Sequence, residues 1–168
     1  MLKTIIVDKA LAAAGNYDIE DVLSDSTTAS NHQYWYFPKA VAKGGDWCQI
    51  VKAQIEWTTT ALTPRLTLYI FKELPTMELR DNVANTSPGA TDRYSFEGQI
   101  DFTALEDLGG MSAATINFNT YGNLPLLIET APGNTGFYGI LVTRDAVTGE
   151  AANAVMTIKL TVEDYPGS

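Results

Sequence analysis

The chain has 168 residues, of which 45% are hydrophobic and 18% charged, a composition typical of a folded domain and not of a disordered one. Its net charge of −9 at pH 7 argues against nucleic acid and anionic membrane surfaces as partners, because both attract basic proteins. No apolar run approaches the length needed to cross a bilayer.

The first segment of the chain is apolar and β-prone from Leu2 to Val7. We predict an N-terminal arm of residues 1–16, followed by a single domain of residues 17–168. The arm has two interpretations: it reaches a neighbouring molecule, or it forms an edge strand of the domain's own sheet. Asp8 and Lys9 interrupt the apolar run too early for a signal peptide, so we expect synthesis in a cytoplasm without processing.

An aromatic run, Tyr34-Trp35-Tyr36-Phe37, follows a polar loop. In a strand, Tyr34 and Tyr36 face one side while Trp35 and Phe37 face the other. One pair is predicted to join the core. The other pair contacts a second sheet, a partner or a sugar, or is buried as well.

The clearest β-strand pattern extends from Trp47 to Trp57. Its alternation predicts that Val51 and Ile55, like Trp57, face inward and that Lys52 faces outward. Cys48, the chain's one cysteine, lies in this strand and is expected to be a small buried residue, since one thiol cannot form an internal disulfide.

The next strand, from Arg65 to Phe71, is apolar on both faces, which predicts a central strand covered on both sides. The connection from Lys72 to Arg93 is too long for a hairpin loop. It is expected to cross between sheets or to carry contacts, before a strand from Tyr94 to Phe102.

The remaining third of the chain predicts one helical turn and four short strands. The helical turn is expected over Thr103–Gly110 because it ends in glycine. The strands are predicted at Ala113–Phe118, Leu124–Glu129, Phe137–Thr143 and Met156–Glu163. Eight to ten strands at this spacing predict an all-β fold, a β-sandwich with jelly-roll topology.

Residues suited to catalysis or metal binding are sparse. His32 is far in sequence from Cys48, and no nucleophile elbow is present. The spacing of the acidic residues does not match an EF-hand loop, so a solvated acidic loop is expected in place of a calcium site; these residues are Asp18, Glu20, Asp21 and Asp25. The chain is therefore predicted to be non-enzymatic, with no cofactor and no metal site.

Several structural segments carry a resemblance to a known family. They are Asp21-Val22-Leu23 after a tyrosine, Leu68–Phe71 followed by Pro75-Thr76 and Asp81-Asn82, Tyr94–Ile100 with Gly98, and Phe137–Arg144 before a last strand. From about Tyr17 onward the chain resembles the small structural proteins of tailed bacteriophages that act as capsid decoration or minor head proteins. Residues 1–16 and Tyr34–Phe37 have no counterpart in this resemblance.

The resemblance implies a virion structural protein, made in the host bacterial cytoplasm, that binds the outer surface of the head. Its implied partners are the major capsid protein and further copies of itself, as a homotrimer about a local symmetry axis. A neck or tail component is the related alternative. A carbohydrate-binding module is the unrelated alternative, with a stacking platform formed by Tyr34, Trp35, Tyr36, Trp47 and Trp57. The interface expected from the arm and from aromatic character comprises Leu2, Ile5, Val7, Tyr34, Trp35, Tyr36, Pro75 and Met77.

Overall fold

The structure is a computed structural model that describes residues 1–12, 15–28, 33–76, 78–118 and 123–165. Its regular elements in those ranges are strands. Those ranges contain no helix, and so none that could span a membrane. The strands are β1 (Leu2–Ala10), β2 (Gly15–Tyr17), β3 (Trp35–Phe37), β4 (Trp47–Trp57), β5 (Leu66–Phe71), β6 (Phe96–Phe102), β7 (Glu106–Asp107), β8 (Ser112–Asn117), β9 (Leu126–Glu129), β10 (Phe137–Thr143), β11 (Val147–Glu150) and β12 (Val155–Tyr165).

Two antiparallel sheets face each other across the core. The six-stranded sheet has the order β1-β12-β4-β8-β7, with β9 pairing the other half of β4, and the four-stranded sheet has the order β3-β10-β5-β6. The short strands β2, β7 and β11 are left out here, β8 and β9 are counted as one strand, and the resulting eight strands are numbered in chain order. The six-stranded sheet then has the order 1-8-3-6, and the four-stranded sheet has the order 2-7-4-5. This is jelly-roll order, so the predicted all-β jelly-roll sandwich is confirmed.

The core follows from alternation along these strands. Trp57 from β4 and Trp35 from β3 are at most 1% exposed, and Phe37 and Phe137 stack with ring centroids 5.2 Å apart. Gly139 lies beneath Leu68, where a Cβ would come within 2.8 Å of that side chain, so a glycine here permits the close packing of the core.

Strand β5 is buried on both faces, as its sequence predicted. Leu66, Leu68 and Ile70 lie in the main core, whereas Tyr69 and Phe71 lie in a second apolar cluster on the far side of the sheet. The second cluster also contains Val22, Ile140 and Val142, with Leu79 and Phe96 packed against it.

The long connection, residues 72–95, covers this second cluster. It joins β5 to β6, which are neighbours in one sheet, so the expected contacts are present and the expected crossover is not. Its backbone pairs with the segment before β3: Asn82 N donates to Val22 O and Val22 N donates to Val83 O, each at 2.9 Å. Buried Asp81 accepts from the Tyr17 hydroxyl at 3.0 Å and from Ser24 N at 2.7 Å.

Residues Leu2–Ala10 form the edge strand of the six-stranded sheet, which is the second of the two interpretations of the N-terminal segment. All nine residues pair with β12, from Leu2 opposite Glu163 to Ala10 opposite Val155. The arm is thus held in the sheet in this structure.

The predicted helical turn over residues 103–110 is wrong. Glu106 and Asp107 form β7 and pair with β8, and Leu108 N donates to Met111 O at 2.8 Å to close the turn. Gly109 has a φ of +85°, which suits a tight reversal between paired strands and not the end of a helix.

Candidate interaction surface

The outward surface of the six-stranded sheet, here called the open face, has Leu108 at its β7 edge and six further large exposed hydrophobic side chains of the described residues on four of its strands. The alternation of β1, β4, β9 and β12 directs these side chains to the same side. They are Leu2 (64% exposed), Ile6 (58%), Trp47 (45%), Leu127 (51%), Val155 (36%) and Tyr165 (43%). Six such residues on one sheet face are the main surface feature that calls for a partner.

The most apolar corner of the open face surrounds Trp47. Trp47 lies opposite Tyr165 of β12 on one side and opposite Glu129 of β9 on the other. In the next row, Gln49 lies beside Leu127. The Tyr165 hydroxyl donates to Gln49 Oε1 at 3.0 Å. The corner thus combines two flat aromatic surfaces with polar groups beside them.

A β-bulge at Val51 brings Trp47 to the surface. Thr161 pairs with Lys52 but Val162 pairs with Ile50, so Val51 is an extra residue in β4. The extra residue exchanges the inward and outward positions, so even-numbered residues of β4 face inward before the bulge and odd-numbered residues face inward after it. The predicted inward direction of Ile55 and Trp57 is confirmed, whereas Val51 is only half-buried and is not part of the regular alternation.

The centre of the open face is polar. The Lys159 ammonium bonds Glu56 Oε1 at 2.5 Å, and Gln54 Nε2 donates to the same oxygen at 2.6 Å. Threonines occupy neighbouring positions on β1 and β12, at Thr4, Thr157 and Thr161. The open face therefore combines apolar and polar side chains. Such a combination is typical of a protein–protein interface, because a whole interface is only about as apolar as ordinary protein surface.

The interface residues expected in the N-terminal segment divide between the two sides of β1. Leu2 is exposed on the open face, Ile5 is only 8% exposed and belongs to the core, and Val7 packs partly buried against that core. Ile6, which was not expected at the interface, takes the outward position. Ile5 is therefore corrected to a core residue.

The expected aromatic interface divides in the same way. Trp35 is 1% exposed, and its Nε1 donates to Leu23 O at 3.1 Å, so it is a core residue and not an interface residue. Tyr34 and Tyr36 are half-buried and contact Tyr138, with ring centroids 5.0 and 5.1 Å away. Burial raises the pKa of Tyr36.

Two expected interface residues lie on the long connection. Pro75 is buried within the chain, which removes it from the candidate interface. Met77 lies outside the described residues.

The sugar platform expected from the aromatic residues is not assembled. Trp35 and Trp57 are buried, while Tyr34 and Tyr36 lie on the four-stranded sheet, away from Trp47 on the open face. Trp47 is the exposed member of that set and has Tyr165 as its neighbour.

The acidic loop residues have structural partners. Glu20 bonds Arg144, with both carboxylate oxygens within 2.6 Å of Nη1, and Asp25 accepts from Lys9 at 2.8 Å. Asp21 is buried and accepts from Asp18 N at 2.7 Å. No group of three metal-ligating side chains occurs within the ranges that the structure describes.

Cys48 is fully buried against the core, as expected from the sequence. Burial, with a smaller contribution from the charge of Asp164, raises the pKa of the Cys48 thiol to about 12. A thiol in this state is not a nucleophile at neutral pH. His32 lies outside the described residues.

A groove of about 380 Å³ lies beside the second cluster, on the four-stranded sheet. Its polar side chains bond one another: Thr67 Oγ1 donates to Asp101 at 2.8 Å, and Gln99 Nε2 donates to the same carboxylate at 2.9 Å. These hydrogen bonds fix the shape of the groove, and they pair its polar side chains with one another.

No family model and no curated protein sequence matches the chain. Solved structures to which it is similar include the decameric BFDV capsid protein, at 13% identity over 96% of this chain and 97% of that one, with a TM-score of 0.32. They also include CBM35 from Cellvibrio japonicus Abf62, at 9% identity over 97% and 96% of the two chains, with a TM-score of 0.32. Desmodium yellow mottle tymovirus matches at 11% identity over 96% and 85%, with a TM-score of 0.29. Likenesses at this level carry no argument about function, and the jelly-roll assignment depends on the strand order alone.

Proposed function

We propose that the chain is a non-enzymatic structural protein of a tailed-phage virion, a capsid decoration protein that binds the outer surface of the head. The observation that carries this proposal is the open face, where six large apolar side chains project from one rigid sheet. Binding a shell requires a broad complementary surface and no chemistry. The sequence resemblance supplies the expected partner, the major capsid protein.

The proposed mechanism is attachment through many identical contacts. Each copy would place the apolar corner around Trp47 against the shell, with the polar centre of the open face forming the wetter part of the contact. Many copies on one head make weak single contacts effective. A homotrimer about a local three-fold axis is the arrangement that the resemblance implies.

Cosedimentation with phage heads tests this proposal. The purified chain is mixed with isolated heads, with unassembled major capsid protein, and with tails of the phage that encodes it. We expect it to sediment with heads alone. Sedimentation with tails would support the neck or tail alternative, and sedimentation with none of these particles would overturn the proposal.

A matched pair of apolar substitutions locates the contact. Leu127→Ser removes an apolar group from the open face, whereas Ile19→Ser removes a similarly exposed one, 60% against 51%, from a loop beside the other sheet, where Glu20 N donates to Thr143 O. We expect Leu127→Ser to weaken head binding at least tenfold and Ile19→Ser to leave it unchanged. Equal effects would remove the open face from the proposal.

The corner formed by Trp47 and Tyr165 favours a second candidate function, carbohydrate binding. Aromatic faces stack on the apolar faces of sugars, and Gln49 adds a polar group beside them. Because Trp35 and Trp57 are buried, sugar binding here would change the fluorescence of Trp47 selectively. A glycan array with no binder, together with unchanged tryptophan emission, would exclude this function.

A further inference from the structure

Strand β1 leaves one of its two edges unpaired. Met1 and Asp164 exchange both backbone hydrogen bonds at 3.0 Å, and Leu11 N donates to Ala154 O at 3.0 Å. In an antiparallel ladder such pairs alternate with pairs that do not bond each other. The odd-numbered residues of β1 therefore bond β12, and the N–H and C=O groups of its even-numbered residues point away from the sheet.

These outward backbone groups form a continuous row. They belong to Leu2, Thr4, Ile6, Asp8 and Ala10, and no backbone group of the described residues bonds to them. The same residues direct their side chains to the open face. A nine-residue edge without proline is a template for a further strand.

The other sheet edges among the described strands are short or covered. Strands β3, β7 and β9 have three, two and four residues. Strand β6 is longer, but Glu97 on it accepts a bond from Glu129 N at 3.1 Å, and Leu126 lies against Gly98. Strand β1 is thus the long edge that lacks such protection.

We propose that β1 is a self-association surface, where two copies of the chain pair antiparallel about a two-fold axis at Ile6. In this register Ile6 meets Ile6 of the second copy, Thr4 meets Asp8, and Leu2 meets Ala10. Apolar groups meet apolar groups, and a hydroxyl donor meets a carboxylate. Five facing pairs with two bonds each give about ten backbone hydrogen bonds.

This register pairs more favourably than its neighbours. An axis at Ile5 or Val7, the two nearest alternatives, would place Asp8 opposite Leu2 or Ile6 and leave one of the five outward residues unpaired. An axis at Asp8 would place two aspartates opposite each other, which is unfavourable. An axis at Thr4 would leave Asp8 and Ala10 without partners. With the axis at Ile6, the inward side chains Lys3 and Lys9 of the two copies become neighbours.

Both lysines already have carboxylate partners within their own chain. Lys3 lies 3.5 Å from Asp164, and Lys9 lies 2.8 Å from Asp25. Their approach across the axis therefore brings together neutralised pairs and not two free charges.

The contact has a consequence for the size of the assembly. A two-fold contact joins identical surfaces, so it produces assemblies with an even number of chains. These are dimers, or hexamers if the contact also joins trimers in pairs. The inference does not depend on head binding and can be tested on the purified chain alone.

Light scattering on the full chain, whose mass is 18.3 kDa, is the first measurement. We expect twice or six times that mass at about 100 μM. Ile6→Lys places a charge at the axis and should reduce the assembly to monomers or trimers, while Thr115→Lys, on the same face but on β8, should not. A wild-type monomer or trimer would overturn the proposal.

Hydrogen exchange supplies a second, residue-specific readout that also reports folding. In a lone chain the odd-numbered amides of β1 are protected and the even-numbered ones are not. In the paired assembly, the amides of Leu2, Thr4, Ile6 and Asp8 should be protected too, and Ile6→Lys should remove that added protection while the amides of Ile5 and Val7 stay protected. An even-numbered assembly with unprotected even-numbered amides would place the contact elsewhere and overturn the assignment.

Discussion

Trp57 Nε1 donates a 3.0 Å hydrogen bond to Oε1 of Glu150, a carboxylate only 5% exposed. The bond joins the six-stranded sheet to β11, and Thr59 Oγ1 donates to the same oxygen at 3.1 Å. The other oxygen, Oε2, is buried without a hydrogen bond among the described residues. Burial therefore raises the pKa of Glu150 despite its two donors.

Because the pKa of Glu150 is raised in the folded protein, we predict that Glu150→Gln gains stability relative to wild type as the pH rises. The folded protein binds the proton of the Glu150 carboxyl group more tightly than the unfolded chain does. Ionisation of Glu150 therefore lowers the free energy of unfolding as the pH rises from below the ordinary glutamate pKa through the raised value. The free energy of unfolding of Glu150→Gln relative to wild type should rise between pH 4 and pH 7.5, as measured by urea denaturation. A difference between Glu150→Gln and wild type that stays flat over this pH range would contradict the prediction.

Tyr17→Phe should destabilise the fold by about 2 kcal/mol, because it removes a hydrogen bond to the buried carboxylate of Asp81 and leaves that charge with one donor fewer. Urea denaturation measures the loss. Tyr94→Phe is the matched control, since the Tyr94 side chain is 77% exposed and should lose nothing measurable. Equal stabilities of the two variants would mean that Asp81 does not depend on Tyr17.

Gly139→Ala should cost about 1–3 kcal/mol through overpacking. The added Cβ would lie 2.8 Å from Leu68 Cδ1 and 3.2 Å from Phe37 Cε2, both in the core between the sheets. Gly110→Ala adds the same methyl group where nothing lies within 4 Å, and it should leave the thermal midpoint unchanged. A neutral Gly139→Ala would show that the core is looser than this packing indicates.

The Cys48 thiol should be inert in the folded protein. It is fully buried and its pKa is raised to about 12, so a thiol reagent at pH 8 should label it only as fast as the protein unfolds. In 8 M urea one equivalent should react within minutes. Thr115→Cys places a second thiol on the surface and should add one fast equivalent in the native state; fast labelling of wild type would contradict the burial of Cys48.

The sequence was sufficient to predict a strand where both of its faces are apolar, or where apolar and polar residues alternate along it without interruption. Strand β10 has the predicted bounds, Phe137–Thr143, and β5 is buried on both faces as its apolar residues indicated. Strand β12 follows its alternation and extends by one residue before Met156 and two after Glu163. In these strands, the local pattern determines the burial.

The sequence was not sufficient where pairing with a distant strand determines which way a side chain points. The run Ile5-Ile6-Val7 is apolar at every position, and only pairing of Ile5 with Leu160 shows that Ile6 is the outward one. Likewise, the bulge that exposes Trp47 depends on where β12 meets β4, more than a hundred residues later in the chain. The open face therefore emerges from the sheet register and not from any single segment.

The place of β12 within the six-stranded sheet has a consequence for folding during synthesis. Strand β12 lies between β1 and β4, so neither of those strands can complete its ladder until residues 155–165 have left the ribosome. At ordinary elongation rates, β4 waits roughly 5 to 20 s after its own synthesis. During that interval the nascent chain displays unpaired apolar strands, and closing so non-local a sheet is intrinsically slow. A ribosome that stops before residue 155 would release a chain without the centre of this sheet, and such a chain is a natural client for chaperones.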